Sequence, residues 1–135
     1  MSLFNVFDIS GSALRAQAIR LNTTAGNMAN IDSISSSTAT TYRARQPVFA
    51  AQLDAAEGES GGVEVLGIVE SQAPLRREYR PDHPLADSQG YVNLPNVNPV
   101  EEMANMISAS RSYQSNVEVF NTSKQMLMRT LSLGD

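Results

Sequence analysis

The sequence contains no cysteine and no tryptophan, and it has one histidine and one lysine. Without Cys there is no thiolate nucleophile, no disulfide framework and no Cys-based zinc site. A Cys-free chain is also compatible with life outside the cytoplasm. Aromatic residues make up only 6% and hydrophobic residues 41%, which favours an elongated shape over a dense globule. No apolar run approaches the roughly 18 to 20 residues that span a bilayer. Positive charge is scarce too: ten basic residues against fourteen acidic give a net charge of −4 and a pI near 4.9. That balance argues against a nucleic-acid partner. The arginines are scattered apart from Arg76 and Arg77, so there is no polybasic membrane segment. Met1 to Ser10 holds neither a basic n-region nor a following apolar h-region, so no cleaved secretory signal peptide is expected. A protein of this kind leaves the cytoplasm, if it does, by another route.

At 135 residues the chain accommodates one modest domain, or a small domain with extended arms. Apolar spacing favours the arms. Phe7, Leu14, Leu21 and Met28 recur at intervals of seven near the N-terminus. Near the C-terminus Met103, Val117 and Leu131 share one series, with Ser110 and Lys124 at its remaining steps. A second series, three residues on, holds Met106, Tyr113, Phe120 and Leu127. This is the a/d pattern of helices packed along their length. These residues, with Ile107, are the candidate packing surface. Seven of the nine a/d positions in the second helix are apolar, and their full burial is worth very roughly 10 to 20 kcal/mol gross.

The first helix is expected to start near Asp8 or Ser10, either of which could cap it, and to run to about Ile31. Ala18 and Ala25 would let a neighbour approach closely. Gly26 reads equally as helix fraying or as a close contact. The second helix has the clearest start signal. Asn98 suits the N-cap, Pro99 the first helical position, and Glu101 stands three residues after the cap. Glu101 and Glu102 then complement the positive end of the helix dipole. With Gly134 as terminator, this helix is on the order of 50 Å long.

Between the helices, Ser33 to Thr41 holds seven hydroxyl residues among nine and reads as a flexible linker. Tyr42 to Phe49 suits an edge strand interrupted by Pro47. Glu57 to Gly62 reads as an acidic, Gly-rich loop. Val63 to Ile68 is the best strand, with Leu75 to Tyr79 as its antiparallel partner. Pro81 to Gly90 forms an irregular turn, and Tyr91 to Leu94 is a short strand at most. The fold class is therefore α+β: long N- and C-terminal helices forming a coiled-coil-like core pair, with a small β-rich middle segment. The parts are an N-terminal axial helix over 1–32, a linker and β-rich module over 33–97, and a C-terminal axial helix over 98–135. The β module cannot cover so long a helical stripe. The helices cover each other as a self-contained antiparallel pair, or neighbouring subunits cover them.

Catalytic constellations are missing. His83 lies between Asp82 and Pro84, but neighbours in sequence do not make a triad, and its place is a surface turn. Glu101 and Glu102 are adjacent, so they point to different helix faces. Asp82 and Asp87 lie where Asp bonds its own backbone. One His without Cys makes a transition-metal site improbable, and a calcium loop needs more carboxylates. A Gly-rich phosphate loop is also missing. Met103, Met106, Met126 and Met128 read as packing before they read as a promiscuous groove. The chain reads as no enzyme, with no cofactor and no metal.

Two stretches carry a resemblance. Ala25-Gly-Asn-Met-Ala-Asn-Ile-Asp32, after a helix bearing Leu14 and Leu21, resembles the N-terminal signature of bacterial flagellar axial proteins, an A-x-N-[IM]-A-N segment. Gly90-Tyr-Val-x-Leu-Pro-Asn-Val-Asn-Pro-Val-Glu-Glu-Met103, with Met106 to Gln114 and Asn116 to Thr122, is similar to the C-terminal part of flagellar basal-body rod proteins. Asn27, Ala29, Asn30, Asn98, Pro99, Glu101 and Glu102 occupy the family motif. The Thr-Pro-Gly-Tyr turn of many axial proteins is replaced by Ser36 to Thr41 leading to Tyr42–Arg43.

The resemblance implies a structural subunit of the torque-transmitting rod, self-assembling by helix packing in the periplasm. It also implies export without a cleaved signal through the flagellar type III apparatus. The partners it implies are other rod proteins, the adaptor joining rod to membrane ring, and the rod-cap protein. The rivals are a soluble helical adaptor or secretion chaperone dimerising through the same helices, and a small hydrolase using Ser, Asp82 and His83.

Overall fold

The computed structural model describes residues 3–53 and 60–134. Its elements run α1 (Leu3–Ala29), β1 (Arg45–Leu53), β2 (Ser60–Glu70), β3 (Arg76–Tyr79), β4 (Tyr91–Leu94) and α2 (Pro99–Leu133). The α+β class holds, and the two long helices are the first and last elements. They pack on each other within one chain. The C-terminal end of α1 meets the N-terminal end of α2, and Phe7 of α1 stacks edge-on against Phe120 of α2 with ring centroids 5.0 Å apart. The pair is therefore antiparallel.

α2 begins as its sequence signals. Asn98 is extended (φ −99°, ψ 114°), and its Oδ1 accepts from the N–H groups of Val100 and Glu101 at 3.1 and 3.4 Å. Pro99 follows, losing no hydrogen bond at a position that has none to make. The other end closes without a left-handed turn: Gly134 is right-handed and its N–H reaches Leu131 O at 3.3 Å. α1 corrects the expectation. It already includes Leu3, so Asp8 and Ser10 are interior residues, and Ser10 is buried. Its C-terminal end is closed by its own motif, because Asn30 Nδ2 donates to Gly26 O at 2.8 Å. Gly26 needs no close approach, since an added Cβ would meet only Tyr42 Oη at 3.8 Å.

Strand pairing also differs from expectation. β2 pairs antiparallel with β1, from Arg45 opposite Glu70 to Leu53 opposite Ser60, with register shifts after Val48 and after Gln52. β3 pairs instead with β4, so Leu75 to Tyr79 is not the partner of Val63 to Ile68. The acidic loop expected over Glu57–Gly62 lies partly outside the described residues, and Ser60 to Gly62 belong to β2. Burial alternates along β2, with Val63, Val65 and Gly67 covered and Glu64, Leu66 and Ile68 exposed. The covered edge of this ribbon lies on α1. Ser12 Oγ donates to Ile9 O at 2.8 Å and accepts from Val63 N at 3.0 Å. Gly62 sits at φ +135° over the same hydroxyl, where a Cβ would fall 2.3 Å from Ser12 Oγ. Only Gly fits there.

α1 packs on both α2 and the ribbon, while Pro47 and Phe49 of β1 face Glu101, Glu102 and Asn105 of α2 across a hollow of about 360 Å³. The buried core is small and sits at one end, in Ala44, Val92, Leu94, Pro95 and Val97. Ser33 to Thr41 is not a loose linker. Thr40 and Thr41 N–H donate to Ser37 O, Ser35 pairs with Asn93, and the Ser35 and Thr40 hydroxyls are hydrogen-bonded. Hydroxyls that discourage a helix also close a turn.

Candidate assembly surface

The helix seam is built from small and polar side chains. Thr24 of α1 and Glu102, Ala109 and Ser123 of α2 are buried there, whereas the buried Ala16 of α1 lies toward the ribbon with Val63 and Val65. In α2 these fall on a seven-residue series, 102, 109 and 123, one position before the expected series of Met103 and Leu131. Small residues bring the helix axes close, which pushes larger side chains to the flanks. Phe7, Leu14, Leu21, Met28, Met106, Val117, Phe120 and Leu127 are half-buried there. Met103, Ile107 and Tyr113 are exposed, and Leu131 is 65% exposed. Ala18 and Ala25 are not the close-contact residues, being half-buried and exposed.

α2 also outreaches its partner. Counted from the Phe7–Phe120 contact, it runs 13 residues to Leu133, whereas the described part of α1 runs four to Leu3. The difference is on the order of 13 Å at 1.5 Å per residue. Met126, Met128, Leu131 and Leu133 are exposed on that overhang.

At the opposite end the two helices are held by a polar joint. Asn27 is 1% exposed. Its Oδ1 accepts from Tyr42 Oη and from Arg45 N, both at 2.9 Å, and its Nδ2 donates to Arg45 O at 2.8 Å. One side chain thereby holds β1 to α1 as another strand would. Glu102 reaches the same place from α2 and is buried. Burial raises its pKa above the ordinary 4.5, while hydrogen bonds from Asn27 and Thr24 pull it down. Burial raises the Tyr42 phenol as well, against the nearby Arg45. Arg20 Nη2 donates to Asn105 Oδ1 at 3.0 Å along the same seam.

The strands leading into α2 are fastened by the same means. Asn96 Oδ1 accepts from Ala44 N at 2.8 Å, and its Nδ2 donates to Ala73 O at 2.9 Å. Arg43 Nη1 donates to Ser71 O and Ala73 O. Arg76 Nη2 donates to Ile31 O at 2.9 Å and its Nε to Pro95 O at 3.2 Å. Of the motif residues, Asn27 and Glu102 meet at the joint and Asn30 closes α1. Asn98 caps α2, while Pro99, Glu101 and Ala29 are exposed. Sequence reasoning gave Glu102 to the helix dipole and to the family motif, without a buried partner, and missed Thr24, Tyr42, Arg45 and Asn96. The alternation of Val92 and Leu94 in β4 was a usable signal for the core.

The titratable side chains of the turn residues His83 and Asp87 are taken up by local backbone bonds. His83 Nδ1 accepts from Leu85 N at 3.1 Å in its turn. Asp87 Oδ1 accepts from Gln89 N and Tyr91 N, both at 2.9 Å, and these bonds, with that from Tyr91 foremost, hold its carboxyl below the usual range. Among the described residues no group of three or more His, Asp or Glu is placed to hold a metal ion. No described helix is long and apolar enough to cross a membrane.

Residues 7–33 match the family described as "Flagella basal body rod protein", and residues 88–133 match "Flagellar basal body rod FlgEFG protein C-terminal". The chain belongs to the flagellar basal-body rod protein family and is a structural subunit of that class. Its full-length likeness is to proteins named "Flagellar basal-body rod protein FlgC". It is 56% identical over 135 residues to that of Salmonella typhimurium, and 56% identical over 135 residues to that of Escherichia coli O157:H7, covering 99% of each chain in both cases. The protein of the same name in Buchnera aphidicola subsp. Acyrthosiphon pisum is 44% identical over 138 residues, with both chains fully covered. The chain is thus placed with the FlgC proteins in the basal-body rod. The adaptor or chaperone reading finds no support, and the named relatives are flagellar rod proteins.

Proposed function

We propose that this chain is built into the proximal rod through the flanks of its helix pair, so that torque passes along many small apolar contacts. The observation that carries this reading is the division of labour in the helices. The seam is closed by small and polar residues, which leaves Met103, Ile107, Tyr113 and Leu131 exposed. Covering the exposed part of each is worth on the order of 1 kcal/mol, and among the described residues no face remains to cover them. Phe7, Leu14, Leu21, Met28, Met106, Val117, Phe120 and Leu127 extend the same surface. In this reading 1–32 and 98–135 are the axial helices, and 33–97 is the outer linker and β-rich module.

The neighbours are other rod components. In finer detail they are the adaptor that joins rod to membrane ring and the rod-cap protein, after export through the flagellar type III apparatus into the periplasm. Leu131→Asp tests the packing argument, because the residue lies off the seam and its change spares the fold. The variant is expected at normal levels in cells with a normal melting curve, yet missing from purified basal bodies. Normal incorporation and swimming would count against it.

A further inference from the structure

Two apolar faces remain that the helix pair does not explain. One is the outer face of the β1–β2 ribbon, where Leu66 and Ile68 are exposed and Pro47 lies opposite Ile68. Arg45, Ile68 and Glu70 line a shallow hollow of about 360 Å³ on it. The other is a ridge on α2 formed by Val100, Met103 and Ile107, all exposed. The spacings of three and four residues put them on one helix face. That face is turned away from Glu102 and Ala109, and so from α1. Within one chain it is Glu101, Glu102 and Asn105 of α2 that face Pro47 and Phe49 of the ribbon, so the ridge, on another side of the helix, does not cover the ribbon of its own chain.

We infer that the α2 ridge of one copy docks on the outer ribbon face of a second copy, with Met103 or Ile107 entering the hollow beside Ile68. The inference rests on the rod reading and names a partner for part of the same surface. A ridge fits a hollowed ribbon better than it fits another ridge, so the contact is heterologous. A heterologous contact repeats around an axis instead of closing a two-fold dimer, which suits a shaft. Charge supports the pairing. Glu64 lies four residues before Ile68 on the outer face, and Arg111 lies four residues beyond Ile107 on α2. Neither has an ion-pair partner among the described residues. Four residues span about 13 Å on a strand and about 6 Å on a helix. An extended Arg side chain makes up the difference, so Arg111 reaches Glu64 when Ile107 sits at Ile68.

The absence of native Cys gives a clean test. Basal bodies are purified from cells whose only copy carries both Ile68→Cys and Ile107→Cys, then oxidised and run without reductant. The expected result is a ladder of dimers and higher adducts of this chain, absent with either single substitution. Basal bodies that contain the chain but give no ladder overturn the proposal, as does a dimer from a single-Cys variant. Absence of the native chain from basal bodies would overturn the rod reading instead. An independent arm uses charge. Glu64→Arg and Arg111→Glu should each reduce swimming severalfold, and the double exchange should restore it. Failure to restore overturns the Glu64–Arg111 contact.

Discussion

The two ends of the helix pair are held by opposite means. At the joint, Asn27, Tyr42, Arg45 and Glu102 are fixed by short hydrogen bonds and sit beside the small apolar core. At the far end the Phe7–Phe120 contact is followed by an α2 overhang whose apolar side chains are exposed. Hydrogen bonds have direction, so the joint sets where each helix leaves the middle segment. Apolar contacts have none, so the overhang accepts partners of varied shape. A subunit that must meet several neighbours while keeping its own geometry benefits from this division.

The comparison breaks most severely at Asn27. Asn27→Ala leaves Tyr42 Oη and both Arg45 backbone groups without their partner. Each group left unpaired costs roughly 1 to 3 kcal/mol when buried, and because Tyr42 and Arg45 are only partly covered the low end applies, for a loss of about 3 to 5 kcal/mol in all. That is a fall on the order of 10 °C in the melting temperature, read by circular dichroism. A smaller effect is expected on the ribbon's seat. Gly62→Ala should cost about 2 kcal/mol through its backbone angle and the clash with Ser12. Faster amide exchange in β2 than in α2 would accompany it, and equal exchange would show that the ribbon does not rest on α1.

The charge of the joint gives a third test. Burial raises Glu102 above 4.5, so the folded chain binds that proton more readily than the unfolded chain. The resulting stabilisation is full below pH 4.5 and is lost as pH rises through the raised value. Glu102→Gln should remove that fall in denaturant melts taken from pH 4 to 7. Asp87 acts in the opposite sense, losing its share as pH falls below 3.8. It is common to both chains and cancels in their difference. Identical curves for the two proteins would mean that Glu102 is not buried in solution. Smallest of all, Met103→Ser should change monomer stability by no more than about 0.5 kcal/mol while lowering incorporation into basal bodies. A large loss of monomer stability would place Met103 in the seam.

The start of α2 was legible because a cap is local: Asn98, Pro99 and Glu101 act within one turn. The start of α1 was not, since Ser10 has the chemistry of a cap but lies buried in mid-helix. The seven-residue spacing found both helices and misjudged their facing by one residue, because it weighted Met103 and Leu131 above Ala109 and Ser123. Small residues that let helices touch leave a weak mark in a hydrophobicity pattern. The exchange of strand partners was illegible for another reason. Strand propensity states that a segment is extended, while its partner depends on contacts distant in sequence. Glu102 suited both the helix dipole and a buried network, and only the approach of Asn27 decides between them.

Arg76 has a mechanical consequence. Ile31 and Pro95 lie 64 positions apart along the chain, yet one planar guanidinium bonds the carbonyls of both. Strain applied at the end of α1 therefore reaches the segment leading into α2 across a few ångströms, without travelling around the intervening loops. The middle of the chain can be soft, or vary in length, without making the subunit compliant.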